Sequence, residues 1–473
     1  MENKRLIDVS KKTFIEVTVL LVALMAAAIL LTYIIPKGEF LKLPDGSTDY
    51  LSYSVKEGAS GINLLKGIFA PVLVFFSDSG LALIMLSLFL VVIFSSFQVM
   101  NDVGGIRELI GAVSERFKKR RLILVAVLAL VFMCFGAFLG QFEEMLPMLP
   151  IITALCVMVG YDSFTGFLVS VIACGFGFAS AITNPFTVLL ASNIIGVDPM
   201  VHIYYRIIIF IVMFMLILGF IFLYIRRITK DPTSSFTYAH DEKIRKKGIE
   251  NEAALDAETA KRTRLSYLVF LLTGFVLLIT CSAIEALRDY TVVFLTGYFL
   301  IFGLLAGIAA SRDVKTVFRS FLKGMLGALP TIAFVALASS IKYIFDEGSI
   351  MPTIVHQINE LVEGKNIFVI ALVLYGIILV LEFFISSSTA KAILVMGMLA
   401  VVNVGLSKQL LVLIYTFADG YTNVLFPTSP VLLIGLSMIE MDYFKWLKKS
   451  WALFLVNLIL VILFIVLGIA FGY

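Results

Sequence analysis

Two adjacent glutamates, Glu143 and Glu144, stand in a strongly apolar region with Gln141 just before them and Pro147 and Pro150 just after. Ionisable side chains at membrane depth are costly and mark ion or substrate paths. Neighbouring carboxylates in low dielectric repel each other. One of them can therefore bind a coupling cation or a substrate amino group while the other titrates or orients it. The bland alternative is a structural network to an arginine or to backbone N–H groups. Further on, Thr183-Asn184-Pro185 interrupts a second apolar stretch. Broken backbone at that depth survives only where protein buries it or where it lines a cavity. Hydroxyls, amides and freed carbonyls there suit a small cation, and the adjoining helix N-terminus suits an anion.

A second constellation lies toward the C-terminus. Glu382 precedes the run Ser386-Ser387-Ser388-Thr389, and Lys391 follows it. Asp419 and Asn423 then lead to a second break, Thr428-Ser429-Pro430. The hydroxyl run suits a carboxylate or Na+, although serines also pack membrane helices closely. Lys391 either binds a substrate carboxylate or neutralises Glu382 or Asp419. All these positions are substrate- or ion-binding candidates, and none is catalytic.

These groups need a membrane scaffold, and the composition supplies one. The 473 residues are 60% hydrophobic and only 15% charged, with a mean hydropathy of +1.02. The expected fold is an all-α polytopic membrane protein. Apolar runs predict about nine transmembrane helices: Phe14–Ile35, Leu81–Val99, Ser163–Gly196, Tyr204–Tyr224, Leu265–Ser282, Val292–Ala310, Gly327–Phe345, Leu410–Met438 and Trp451–Phe471. The first is read as a retained helix, not a cleaved signal. Ser163–Gly196 and Leu410–Met438 are the two broken helices. Two further runs, 122–160 and 367–404, are too long for one span and are read as re-entrant hairpins with the polar clusters at their tips. Ile62–Phe76 reads as a half-length or interfacial helix, and Arg226–Arg264 as a solvated basic linker containing a helical AALDAETAKR section.

Counted this way, all the basic segments fall on one face: the N-terminus, RFKKRR, the linker, Ser311–Lys323 and FKWLKK. The acidic loops Pro36–Ser60 and Asp346–Lys365 fall on the other. The positive-inside rule then puts the N-terminus in the cytoplasm.

Shifting the chain by 245 residues superimposes several of these features without a gap. Gly160 falls on Gly405, Gly175 on Gly420, Thr183 on Thr428 and Pro185 on Pro430, and Gln141–Glu144 falls on Ser386–Thr389. The expected organisation is a first inverted repeat at 1–225, a cytoplasmic linker at 226–264, and a connecting helix plus second repeat at 265–473. Inverted repeats with discontinuous helices are a signature of secondary transporters, which bind substrate near the midplane.

The motifs LTYIIPKGEF, EEMLPMLP, GYDSFTG, TNPFTV, DPTSS, FADGYTN, PTSPVL and FKWLK span nearly the whole chain. In combination they resemble the YfcC-type branch of the anaerobic C4-dicarboxylate carrier (DcuC-like) family, within the ion-transporter superfamily. The resemblance implies a secondary carrier of the bacterial inner membrane, with a scaffold domain, a transport domain and relatives that are often homodimers. It links the chain to dicarboxylates and, through one branch, to arginine/ornithine exchange. The second tip departs from the family pattern: it reads SSSTAKA, and Lys391 stands where an uncharged residue is usual.

The expected function is ion-coupled transport or exchange of a small carboxylate-bearing solute, a dicarboxylate or an amino acid, with Na+ or H+ as coupling ion. The alternative is a basic amino acid exchanger, because Glu143, Glu144, Glu382 and Asp419 outnumber Lys391. A membrane-embedded hydrolase is disfavoured, since no HExxH occurs and no histidine shares a span with these residues. The four cysteines lie in apolar segments and read as small core residues. No cofactor, metal site or nucleic-acid partner is expected.

Overall fold

The computed structural model describes residues 11–43, 48–56, 61–117, 119–242, 255–288, 290–362, 364–383, 385, 387–401 and 405–473. α1 (Lys11–Ile34) leads into a two-stranded antiparallel hairpin, β1 (Gly38–Lys42) and β2 (Thr48–Val55). Short helical turns at Leu64–Ile68 and Ala70–Leu73 precede α2 (Gly80–Asp102) and α3 (Gly105–Phe117). α4 (Arg121–Leu139) and α5 (Leu149–Met158) flank the first tip, and α6 (Ser163–Ala179) and α7 (Pro185–Ile195) flank the first break. α8 (Ile203–Lys230) follows. The second half runs α9 (Ala257–Ala283), α10 (Thr291–Ser311), α11 (Val314–Gly348), α12 (Met351–Val362), α13 (Ile367–Glu382), α14 (Ser388–Val401), α15 (Lys408–Asn423), α16 (Pro430–Met438) and α17 (Tyr443–Phe471). Among the described residues eight helices are long and apolar enough to cross a membrane. Arg121–Leu139, read above as a hairpin arm, is one of them.

The helices sort into two bundles. In one, α2 lies against α10 and α11, α11 against α1, and α9 against α10. Small residues permit the close approach, as expected where lipid supplies no hydrophobic drive. A side chain on Gly324 would strike the Ser95 backbone, and Gly303 faces Ser96, whose hydroxyl donates to the Phe299 carbonyl at 2.7 Å. The other bundle packs α6 against α4, α5, α8 and α15, with α13, α14 and α17 completing it. The bundles meet where α11 touches α16, where α2 touches the first tip, and through α3, which packs on α2 and α9 on one side and on α5 on the other.

Several boundaries differ from expectation. Part of the Pro36–Ser60 loop is a β-hairpin, steadied by Tyr53, which stacks on His356 of α12 at 4.0 Å. The seventh span continues through the basic Ser311–Lys323 stretch into one 35-residue helix despite Pro330. The fifth begins earlier, capped by Asp256, whose side chain accepts the Thr259 N–H at 3.0 Å. Ile62–Phe76 is not one helix but three short turns.

Candidate functional site

The first tip is made by backbone that cannot continue as helix. α4 ends in a wide turn, Phe135–Leu139, and stops at Gly140, whose φ is +67°. A wide turn leaves carbonyls without helical partners, and the first break supplies them. The Ile182 and Thr183 N–H groups donate to the Ala137 carbonyl at 3.0 and 3.2 Å. The Thr183 hydroxyl donates to Phe138 O at 3.4 Å, and Asn184 Nδ2 donates to Gly136 O at 3.1 Å. Asn184 Oδ1 accepts from the N–H groups of Phe186 and Thr187, which caps α7 beside Pro185. Thr183 and Asn184 thus sew the break to the tip and do not line the cavity described below. Gln141 is buried behind the tip, and its carbonyl accepts the Cys174 thiol at 2.8 Å.

Beyond Gln141 a tight turn, Glu143–Met148, presents the two acids. Glu143 is exposed to the cavity, while Glu144 is half-buried and accepts the Phe142 N–H at 3.2 Å. Among the described residues no lysine, arginine or histidine lies within ion-pair distance of either carboxylate.

The second half seals its charges inward. Lys391 is fully buried in the first turn of α14. Its three N–H donors face Asp419 at 2.8 Å, Glu382, and the Ile385 carbonyl at 3.2 Å. Ser388 donates to the other Asp419 oxygen at 2.9 Å, and Thr422 donates to Glu382 at 3.2 Å. Lys391 therefore neutralises acids and does not offer its charge to the cavity. Thr428 is buried, and Ser429 caps α16 by accepting the Leu432 N–H at 3.4 Å. Asn423 donates to the Asp419 carbonyl at 3.2 Å. Ser386 lies outside the described residues.

Between the bundles lies a cavity of 420 Å³. One wall carries Glu143, Glu144, Ser387, Ser388, Thr389, Asn423 and Ser429, so seven of the fourteen candidate residues converge there. The facing wall comes from α2, α11 and the turn before α2, with Ser77, Ser79, Ser339, Lys342, Tyr343 and Asp346. Lys342 Nζ lies 2.9 Å from Ser79 Oγ and 3.1 Å from Asp346 Oδ2. Sequence reasoning missed this wall. The signal was present: Lys342 is an ionisable residue inside a span.

The two halves meet along α6 and α15. A Cβ on Gly420 would run into the Ala179 backbone, and one on Gly175 into the Val424 side chain. Backbone cannot yield as a flexible side chain can. Gly420→Ala should therefore destabilise the protein by about 1–3 kcal/mol, the usual cost of overpacking. Thermal unfolding in detergent measures this, and a wild-type melting temperature would contradict so tight a crossing.

At the far end of α6 the linker is not merely solvated, which corrects the reading above for Ser235–Asp241. Asp162 caps α6 by accepting the Thr165 N–H at 2.8 Å, and it also accepts from Ser235 at 2.6 Å and from Tyr224. Asp241 accepts the Ser163 N–H at 3.1 Å and the Thr237 hydroxyl at 2.7 Å. Burial raises the Asp241 carboxyl above its ordinary value, against the pull of these donors. Phe236 packs on Phe164 and Tyr224 beneath Arg227 and Lys449, and Lys445 donates to its carbonyl at 2.7 Å. GYDSFTG, DPTSS and FKWLK thus meet at one place.

Comparison with known proteins identifies a family for the chain. Residues 14–470 match the family model of the C4-dicarboxylate anaerobic carriers, DcuC. YfcC of Escherichia coli (strain K12), provisionally named a basic amino acid antiporter, is 28% identical over 375 residues, covering 76% of this chain and 72% of YfcC. An uncharacterized Haemophilus influenzae protein (strain ATCC 51907 / DSM 11121 / KW20 / Rd) is 22% identical over 362 residues, covering 76% of this chain and 70% of its own. Among solved structures, the Alcanivorax borkumensis YdaH transporter aligns at TM-score 0.46 and 14% identity, covering 97% of this chain and 99% of its own. Neisseria gonorrhoeae MtrF, from a class of antimetabolite efflux pumps, aligns at TM-score 0.42 and 14% identity, covering 96% and 94%. The chain belongs to the C4-dicarboxylate anaerobic carrier family and is a multi-pass membrane transporter, not an enzyme.

Proposed function

We propose that the chain is a secondary carrier or exchanger of a small carboxylate-bearing solute, coupled to Na+ or H+, in the bacterial inner membrane with its N-terminus cytoplasmic. One observation carries this reading. A single cavity between two bundles has acids on one tip and hydroxyls on the other. Ser387, Ser388 and Thr389 stand at the start of α14, and Ser429 at the start of α16. Helix N-termini with hydroxyl donors favour an anionic group. Glu143 and Glu144 favour a cationic one. In this reading α4–α8 and α13–α17 carry the substrate and the α1–α2–α9–α10–α11 bundle stays fixed. The repeat reading is supported by a reciprocity: Gly175 meets Val424 and Gly420 meets Ala179, and both pairs interchange under the 245-residue shift. An axis relating two halves requires such paired contacts. A homodimer enters only through the family resemblance.

A second reading, exchange of a basic amino acid, has its own support. Lys391 is engaged by Glu382 and Asp419, and among the described residues the acids at the first tip have no cation within ion-pair distance. The related YfcC carries a name of that kind. Uptake of labelled arginine and of labelled succinate into proteoliposomes, with and without Na+, separates the two. Basic amino acid exchange predicts saturable arginine uptake that unlabelled arginine inside the vesicles accelerates, with no succinate uptake. A dicarboxylate carrier predicts the reverse preference and a requirement for the coupling cation. Uptake of neither a carboxylate nor an amino acid by purified protein would sink both.

A further inference from the structure

We propose that Lys342 is a substrate-carboxylate contact that the fixed bundle offers at one mouth of the cavity only. The incoming carboxylate takes the place of Asp346 on its ammonium group, and leaves Lys342 behind when the tips carry the substrate to the other face. This rests on the carrier reading above and adds a residue on the opposite wall, with a sidedness.

Lys342 is the only cation among the described residues that line the cavity. Lys391, the other candidate, is sealed between Glu382 and Asp419. Lys342 lies near the end of α11 that leads into the acidic 346–365 stretch, and Ser79 lies at the adjoining start of α2. The basic residues Lys315, Arg319 and Lys323 occupy the opposite end of α11. The mouth that Lys342 guards is therefore on the acidic-loop face.

Its present partner is replaceable. Asp346 is an i, i+4 neighbour whose side chain is 53% exposed, against 23% for that of Lys342, and i, i+4 helical pairs are among the weaker ion pairs. Ser79 Oγ holds the ammonium group at 2.9 Å without supplying charge. An ammonium has three N–H donors, so these two contacts leave one for a ligand. On the facing wall Thr389 adds a hydroxyl and Asn423 an amide with a second N–H. A carboxylate between these walls would receive a charge-assisted bond from one body and neutral bonds from the other. Only the neutral bonds travel with it.

The test uses the full chain in right-side-out and inside-out membrane vesicles, with labelled arginine and labelled succinate as probes. For whichever probe the wild type transports, K342Q should raise KM about tenfold at the acidic-loop face, as expected on losing one charge-assisted contact. It should leave KM at the basic face unchanged. K342R should restore it in part. D346N removes the competitor and should lower KM at the acidic-loop face, whereas a merely structural ion pair makes K342Q and D346N behave alike. Parallel rises in KM for the two variants, or an equal rise at both faces in K342Q, overturn the proposal while leaving the carrier reading intact. Wild-type protein that neither transports nor is thermally stabilised by either probe overturns the carrier reading, and this assignment with it.

Discussion

Replacing Lys391 with methionine should leave little folded carrier to assay. The lysine is fully buried between two acids, with Asp419 at 2.8 Å and Glu382 in contact. Removing one partner of a buried ion pair costs about 3–5 kcal/mol, because the remaining charge stays desolvated. Here two carboxylates would face each other with no cation. Set against a typical stability of about 5–15 kcal/mol, that loss is large. Size-exclusion profiles and thermal unfolding of detergent-extracted protein measure it. The triple variant Lys391→Met, Glu382→Gln, Asp419→Asn removes the stranded charge and should recover a monodisperse profile. A stable Lys391→Met single variant would mean that the triad is solvated, and the lysine would return to the list of substrate contacts.

Glu143→Gln should give the opposite phenotype, a folded protein that does not transport. Its carboxylate faces the cavity and has no cationic partner among the described residues, so little structure depends on its charge. If it meets the cationic end of the substrate, loss of that charge should lower kcat/KM at least about 30-fold, equivalent to about 2 kcal/mol. Initial uptake rates at several substrate concentrations measure this, beside a melting curve close to wild type. Uptake at the wild-type rate would remove Glu143 from the mechanism.

The elements that sequence reveals best are those whose cause is local. Thr183-Asn184-Pro185 and Thr428-Ser429-Pro430 announce helix starts, because a capping side chain next to proline has one common use, and both breaks are found there. The interruption of helix at Glu143-Glu144 is similarly visible, since two acids cannot sit in an apolar helix facing lipid. What stayed hidden depends on residues brought from afar. Whether Lys391 faces substrate or protein is decided by Glu382 and Asp419, and nothing near Lys391 in sequence tells the two apart. Asn184 has the right chemistry for a ligand, yet Gly136 and the start of α7 take up its amide. Ser235–Asp241 reads as polar linker, and only the folded positions of Phe164, Tyr224 and Ser163 make it a docked segment. Lys342 could have been noticed, but what it faces depends on Ser79 at the start of α2 and on the tips across the cavity.

The glycine crossing has a consequence for selectivity. The first tip is fastened to α6 where Gly136 meets Cys174 and Phe178, and α6 is fastened to α15 where Ala179 meets Gly420. α15 in turn holds the second tip through Asp419 and Ser388. Each link is a backbone-tight or buried polar contact, so the gap between the acid tip and the hydroxyl tip is fixed like the jaws of a caliper. In the proposed carrier reading, a substrate that bridges the tips would be gauged by the span between its charged ends. Homologues one methylene shorter or longer would be told apart by geometry alone, before any difference in charge is read.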